Sequence, residues 1–153
     1  MLILVVNVTA ALGAFGFGHI QDRLGSVPTL AMTLLLWIVA LVIAWLAQER
    51  AWFWVAANFI GLAMGSSQSA GRALIGLFSP PERAAEFFGL WGFAAKLAAI
   101  VGPLSYGFIA FATHGNHRLA VLATALFFVA GLVMLLFVNE QRGRAAALAN
   151  HRV

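Results

Sequence analysis

Cysteine is absent from the 153 residues, which excludes disulfides, thiolate metal sites and a cysteine nucleophile. Charge is scarce as well: 9% of residues are Asp, Glu, Lys or Arg, while 63% are hydrophobic. A water-soluble core cannot hide that much apolar side chain, so the composition is that of a membrane protein. The five acids, Asp22, Glu49, Glu82, Glu86 and Glu140, all fall at turns or helix ends. No run alternates with the period of two that a transmembrane barrel needs. The net charge of +4 is spread one or two residues per turn with no basic helical face, so nucleic acid is not an expected partner. The apolar N-terminus lacks the basic flank of a signal peptide and reads as a membrane span.

What is present is a set of long uncharged runs. Residues 1–21, 24–48, 51–71, 97–117 and 119–139 contain no Asp, Glu, Lys or Arg. Each is about the 20 residues that a helix needs to cross a bilayer. Backbone groups inside a bilayer must bond within their own segment, so the runs are expected to be helices. The expected fold is an all-α integral membrane protein with five spans, at about residues 2–18, 29–47, 52–77, 86–112 and 119–138. Residues 139–153 are expected to be a cytoplasmic tail, a frayed helical extension without a role of its own. Pro28 falls where it can occupy a first helical turn, and Pro80-Pro81 separates the third span from the fourth. Arg23, Arg83, Arg142, Arg144 and Arg152 fall on one side and Arg50 and Arg118 on the other. The positive-inside rule puts the first group, and the C-terminus, in the cytoplasm. If the chain is bacterial, that membrane is the plasma (inner) membrane.

The spans differ in polarity. The second and fifth carry almost nothing polar and suit a lipid-facing position. The third carries Asn58, Gly61, Gly65, Gln68 and Arg72 at spacings of three or four, which is one stripe of a helix. The fourth repeats this with Gly89, Gly92, Lys96, Ala99 and Pro103, and the first offers Asn7, Gly13, Gly16 and Gly18. Gly61 and Gly65 are spaced for close helix packing, and the hydroxyls and amide of "GSSQSAGR" suit bonds between helices. Arg72 is near enough to a helix end to snorkel. Lys96, about 15 Å beyond Glu86 at 1.5 Å per residue, falls near the bilayer midplane. A charge there must face a cavity, a carboxylate or a carbonyl. Gly102-Pro103 marks a kink, since proline removes a backbone bond and clashes with the preceding turn. His114 and His117 lack a third ligand for a metal, and Glu82 and Glu86 fit a helix start. No catalytic constellation, cofactor site or metal site is expected.

Two stretches carry a resemblance. "GHIQDRLGS", residues 18–26, resembles the loop signature of the major facilitator superfamily, carried here by Gly18, Asp22, Arg23 and Gly25. Ser26 and Val27 stand where a basic residue is usual. "GSSQSAGRALIGLFSPPERAAEFFGLWGFAAKLAAIVGPLSYG", residues 65–107, resembles the vacuole effluxer-like branch of that superfamily, named after fungal vacuolar amino-acid exporters. The resemblance implies a twelve-helix transporter of which these spans are eight to twelve, with the N-terminal half as the missing partner. It implies alternating access around a midplane site, a small solute such as an amino acid or anion, and Asn58, Gln68, Arg72 and Lys96 along its path. Gly102, Pro103 and Gly107 become packing or kink positions, and the loop between the first two spans becomes a brace between the halves. By its own position in that turn Asp22 is expected to accept bonds at a helix N-terminus and Arg23 to hold the cytoplasmic face. The other reading is a complete five-span protein that serves as a scaffold or assembly partner.

Overall fold

The computed structural model describes residues 1–149, and these form helices joined by short breaks, with no strand among them. In order they are α1 (Leu2–Leu24), α2 (Ser26–Leu46), α3 (Arg50–Phe78), a single 3-10 turn (Pro81–Arg83), α4 (Ala84–Ala112), α5 (His117–Leu135) and α6 (Glu140–Ala149). Arg152, counted above for orientation, lies outside the described residues.

Helix α1 does not stop at residue 18. It continues through "GHIQDRL" to Leu24, so Gly18, Asp22 and Arg23 belong to its final turns and not to a loop. A glycine inside a helix costs only about 1 kcal/mol relative to alanine, too little to end a helix that is otherwise satisfied. The reversal rests on Gly25 alone, at φ 91° and ψ 171°, a backbone conformation that a side chain would strain. Ser26 starts α2 immediately, and Pro28 sits in its first turn, where its missing N–H leaves no bond unmade. At the opposite end of the bundle the α4–α5 turn uses His114 at φ 54° and Gly115 at φ 87°. The Gly115 N–H bonds the Ala110 carbonyl at 2.8 Å, closing α4, and the Asn116 side chain caps α5 by accepting from the Leu119 N–H at 3.1 Å.

Helix α3 is the centre of the bundle, with α1 along one side and α2 along another. Small residues let it sit there. A Cβ on Gly61 would run into Val6 and Thr9, one on Gly65 into the Ala10 backbone, and one on Gly13 into the Leu62 backbone. The helices touch main chain to main chain, as small-residue interfaces in membranes do. Helix α2 packs on α5 as well. There the Trp37 ring stacks on Phe128 with centroids 4.9 Å apart, while its Nε1–H donates to Ser67 Oγ at 3.3 Å, so one side chain joins three helices. Thr29, Thr33 and Ser66 are fully buried, and each hydroxyl donates to a carbonyl three or four residues back in the chain. Helix α4 rests mainly on α5 and touches α3 lightly.

Among the described residues, four helical segments are long and apolar enough to cross a membrane: Leu2–Leu24, Ser26–Leu46, Pro81–Ala112 and His117–Leu135. Helix α3 is as long as α4, 29 residues, but its run of Ser66, Ser67, Gln68, Ser69 and Arg72 lowers its hydropathy. Helix α4 runs unbroken through Pro103. A Cβ at Gly102 or Gly107 would meet nothing within 4 Å.

Candidate functional site

The polar stripe of α3 divides in two. Its earlier part, Gly61 and Gly65, is closed by α1, while Gln68 and Arg72, one and two turns further on, are exposed. Asn58 serves its own helix: its amide donates to the Trp54 carbonyl at 2.8 Å. The Arg72 guanidinium lies over the Trp91 ring of α4, 5.3 Å from its centroid, and Gly71 beside it leaves room for the indole. A cation held on an aromatic face keeps its hydrogen-bond donors free while losing side-chain freedom. Trp91 was not singled out in the sequence, because an aromatic in an apolar helix carries no local sign of the cation it meets.

Lys96 is also exposed, and it has no hydrogen-bond or ion-pair partner among the described residues. It stands five residues beyond Trp91, so roughly 140° around α4 at 3.6 residues per turn. Arg72 and Lys96 are therefore not brought onto one surface by α4. A Cβ at Gly89 or Gly92 would meet nothing within 4 Å, so these two positions preceding Lys96 are open. The span Pro81–Ala112 buries none of its most apolar stretch inside the bundle.

At the end of the bundle where α1 stops, the described part of the tail, residues 139–149, makes a specific contact, where a frayed extension without a role was expected. The Glu140 carboxylate accepts the Ser26 N–H at 3.1 Å and the Val27 N–H at 2.9 Å. These are two of the free donors that begin α2, and proline at 28 supplies none, so one carboxylate meets most of the positive end of the helix. A Cβ on Gly25 would stand 3.0 Å from Glu140 Oε2, which gives the glycine a second reason to be there. Gln21 completes the junction by donating to Ser26 Oγ at 2.8 Å. Glu140, not Asp22, is therefore the acid at this helix N-terminus. Asp22 is exposed and instead lines a basin of about 750 Å³ with His19, Ser69, Glu140 and Arg144. Helix α6 reaches this place because Asn139 caps it, accepting from the Arg142 N–H at 3.0 Å, and because Gly143 lies flush on the Phe78 ring. Replacing Glu140 with Ala is expected to cost about 1–2 kcal/mol and to raise amide hydrogen exchange at Ser26 and Val27. Unchanged protection at those two amides would contradict the clasp.

The loop at Pro80–Arg83 lies at this same end, where Arg83 forks onto Glu86 with two bonds of 2.8 Å. At the far end Arg118 donates to the Ala47 carbonyl at 3.3 Å and Tyr106 bonds His117 at 3.1 Å.

Four segments apolar enough to cross a membrane among the described residues, with small-residue seams and polar side chains left on uncovered faces, define an integral, multi-pass membrane protein. The chain belongs to the vacuole effluxer Atg22-like family, whose pattern matches residues 1–148. It is 28% identical over 141 residues to a Bacillus subtilis protein named as an uncharacterized MFS-type transporter, YxiO, covering 92% of this chain and 33% of that protein. It is 32% identical over 94 residues to autophagy-related protein 22 of Eremothecium gossypii, covering 61% of this chain and 18% of that one. Autophagy-related protein 22-1 of Neosartorya fischeri is 28% identical over 160 residues, with 95% of this chain and 26% of that protein covered. The chain thus spans a third or less of the length of these relatives. No solved structure matches it.

Proposed function

We propose that residues 1–153 are the C-terminal part of a secondary transporter of the major facilitator type, which moves a small solute by alternating access. Helices α1 to α5 then correspond to its last five spans, with α3 crossing as the third of these despite its lower hydropathy. The observation that carries this reading is that polar side chains on two of the helices are left uncovered. Gln68, Arg72 and Lys96 are all exposed, and on helices that cross a bilayer polar and ionisable groups keep such a position only when protein or a water-filled cavity meets them. The relatives' extra length and the name of the Bacillus subtilis protein support a second half that forms such a cavity. The clasp end, with Arg23, Arg83, Arg142 and Arg144, is assigned to the cytoplasm by the positive-inside rule. The Arg72 guanidinium, held over Trp91 with its donors free, suits a solute with a carboxylate or another anionic group.

The absence of cysteine offers a direct test. In the full-length protein, freed of any other cysteine, Gln68→Cys is expected to react with a water-soluble maleimide added from the cytoplasmic side. A thiol reached only by a lipid-dissolved reagent would contradict a path at this face.

A further inference from the structure

Lys96 is the chain's single lysine, and it sits on the least covered helix of the bundle. From the start of α4 it is about 18 Å along the axis at 1.5 Å per residue, too deep for its stem to reach the interface. Left against hydrocarbon, the ammonium would cost several kcal/mol. Nothing in residues 1–149 relieves that cost, since the side chain has no partner there. Its surroundings are those of a seat for another helix. Gly89, Gly92, Lys96 and Ala99 fall on one stripe at spacings of three and four, and both glycines are open to close approach.

We infer that this stripe is the seat of a helix from outside residues 1–153 that carries an Asp or Glu at the depth of Lys96, so that an intramembrane ion pair borders the solute path. The inference rests on the transporter reading and deepens it by naming the chemistry of one contact across the two halves. A second copy of this chain does not fit. An isologous dimer through the stripe would set Lys96 against Lys96 in a medium of low dielectric. Nor does this chain own a suitable acid, because Asp22, Glu49, Glu82, Glu86 and Glu140 all lie at helix ends. A different sequence must bring the carboxylate, and the Bacillus subtilis relative is about three times as long as the part it shares with this chain.

The test uses the full-length protein in detergent and in vesicles. Lys96→Glu is expected to lower the ratio of folded to unfolded protein by about a hundredfold, because two like charges then face each other where a pair stood. One replacement of Asp or Glu by Lys in a span outside residues 1–153 should restore the wild-type melting temperature, and no other should. As a second measurement, Ala99→Cys is expected to resist a lipid-dissolved maleimide and to form a disulfide with a cysteine placed one turn from the restoring acid. Failure of every charge reversal to restore stability, or ready labelling of the Ala99→Cys thiol from the lipid, would overturn the inference. Restored stability and the disulfide in a protein that moves no solute would uphold the ion pair and overturn the transporter reading alone.

Discussion

Gly65→Leu is expected to separate α1 from α3 and to destabilise the bundle by about 3 kcal/mol or more, the upper range for forcing bulk into a packed seam. A Cβ at this position already meets the Ala10 carbonyl, so the obstacle is main chain and cannot rotate away. The seam has no spare space on either side of this point. Gly61 is closed by Thr9 and Val6, and Gly13 by the Leu62 backbone. Because the hydrophobic effect gives little between helices in lipid, contact and close packing carry most of the association, and lost contact is not replaced. Gly131→Ala is the matched control. There a Cβ finds Leu34 Cδ1 at 3.7 Å, an ordinary contact, and the change removes the helix penalty of glycine. Thermal unfolding in mild detergent should show a clear loss for Gly65→Leu and no loss for Gly131→Ala. Equal melting temperatures for both variants would show that the seam is not where α1 and α3 are held.

Lys96→Ala is expected to leave insertion intact and to cut solute flux in the full-length protein by about a hundredfold, or roughly 2.7 kcal/mol of barrier. Removing the ammonium makes α4 more apolar, so its partition into the bilayer can only improve. What is lost is the charge at mid-depth, where a low dielectric makes each electrostatic contact count for more than it does in water. Lys96→Arg keeps the charge with a different shape and is expected to retain part of the flux. Flux should be expressed per inserted molecule and measured well below the melting temperature, so that weakened stability is not read as weakened transport. Wild-type flux in Lys96→Ala would remove this residue from the path.

The bundle's helices were legible because uncharged runs of bilayer length leave few alternatives to helix. The seam was legible in part: Gly61 and Gly65 share a helical face whichever partner they meet. The end of α1 was not, since glycines suggest a break by their number, whereas the chain turns on the backbone angles of Gly25 alone. Glu140 is separated from Ser26 and Val27 by more than a hundred positions, and no local pattern records that distance. A tail rich in alanine and arginine looked idle because its one important contact is remote. Trp91 was hidden for the same reason, being an apolar residue by composition and a support for Arg72 by geometry. Asn58 was legible only by its place on the polar stripe; that one of its amide N–H groups donates to the Trp54 carbonyl of its own helix was not.

The central claim is that this chain is one part of a solute carrier, and uptake into vesicles tests it most directly. The full-length protein is reconstituted, and flux is followed for a panel of amino acids, organic anions and sugars against protein-free vesicles. Saturable uptake of a solute bearing a carboxylate or another anionic group, strongly reduced by Lys96→Ala, is the predicted result. Folded, correctly inserted protein that moves none of them above the protein-free rate would contradict the account.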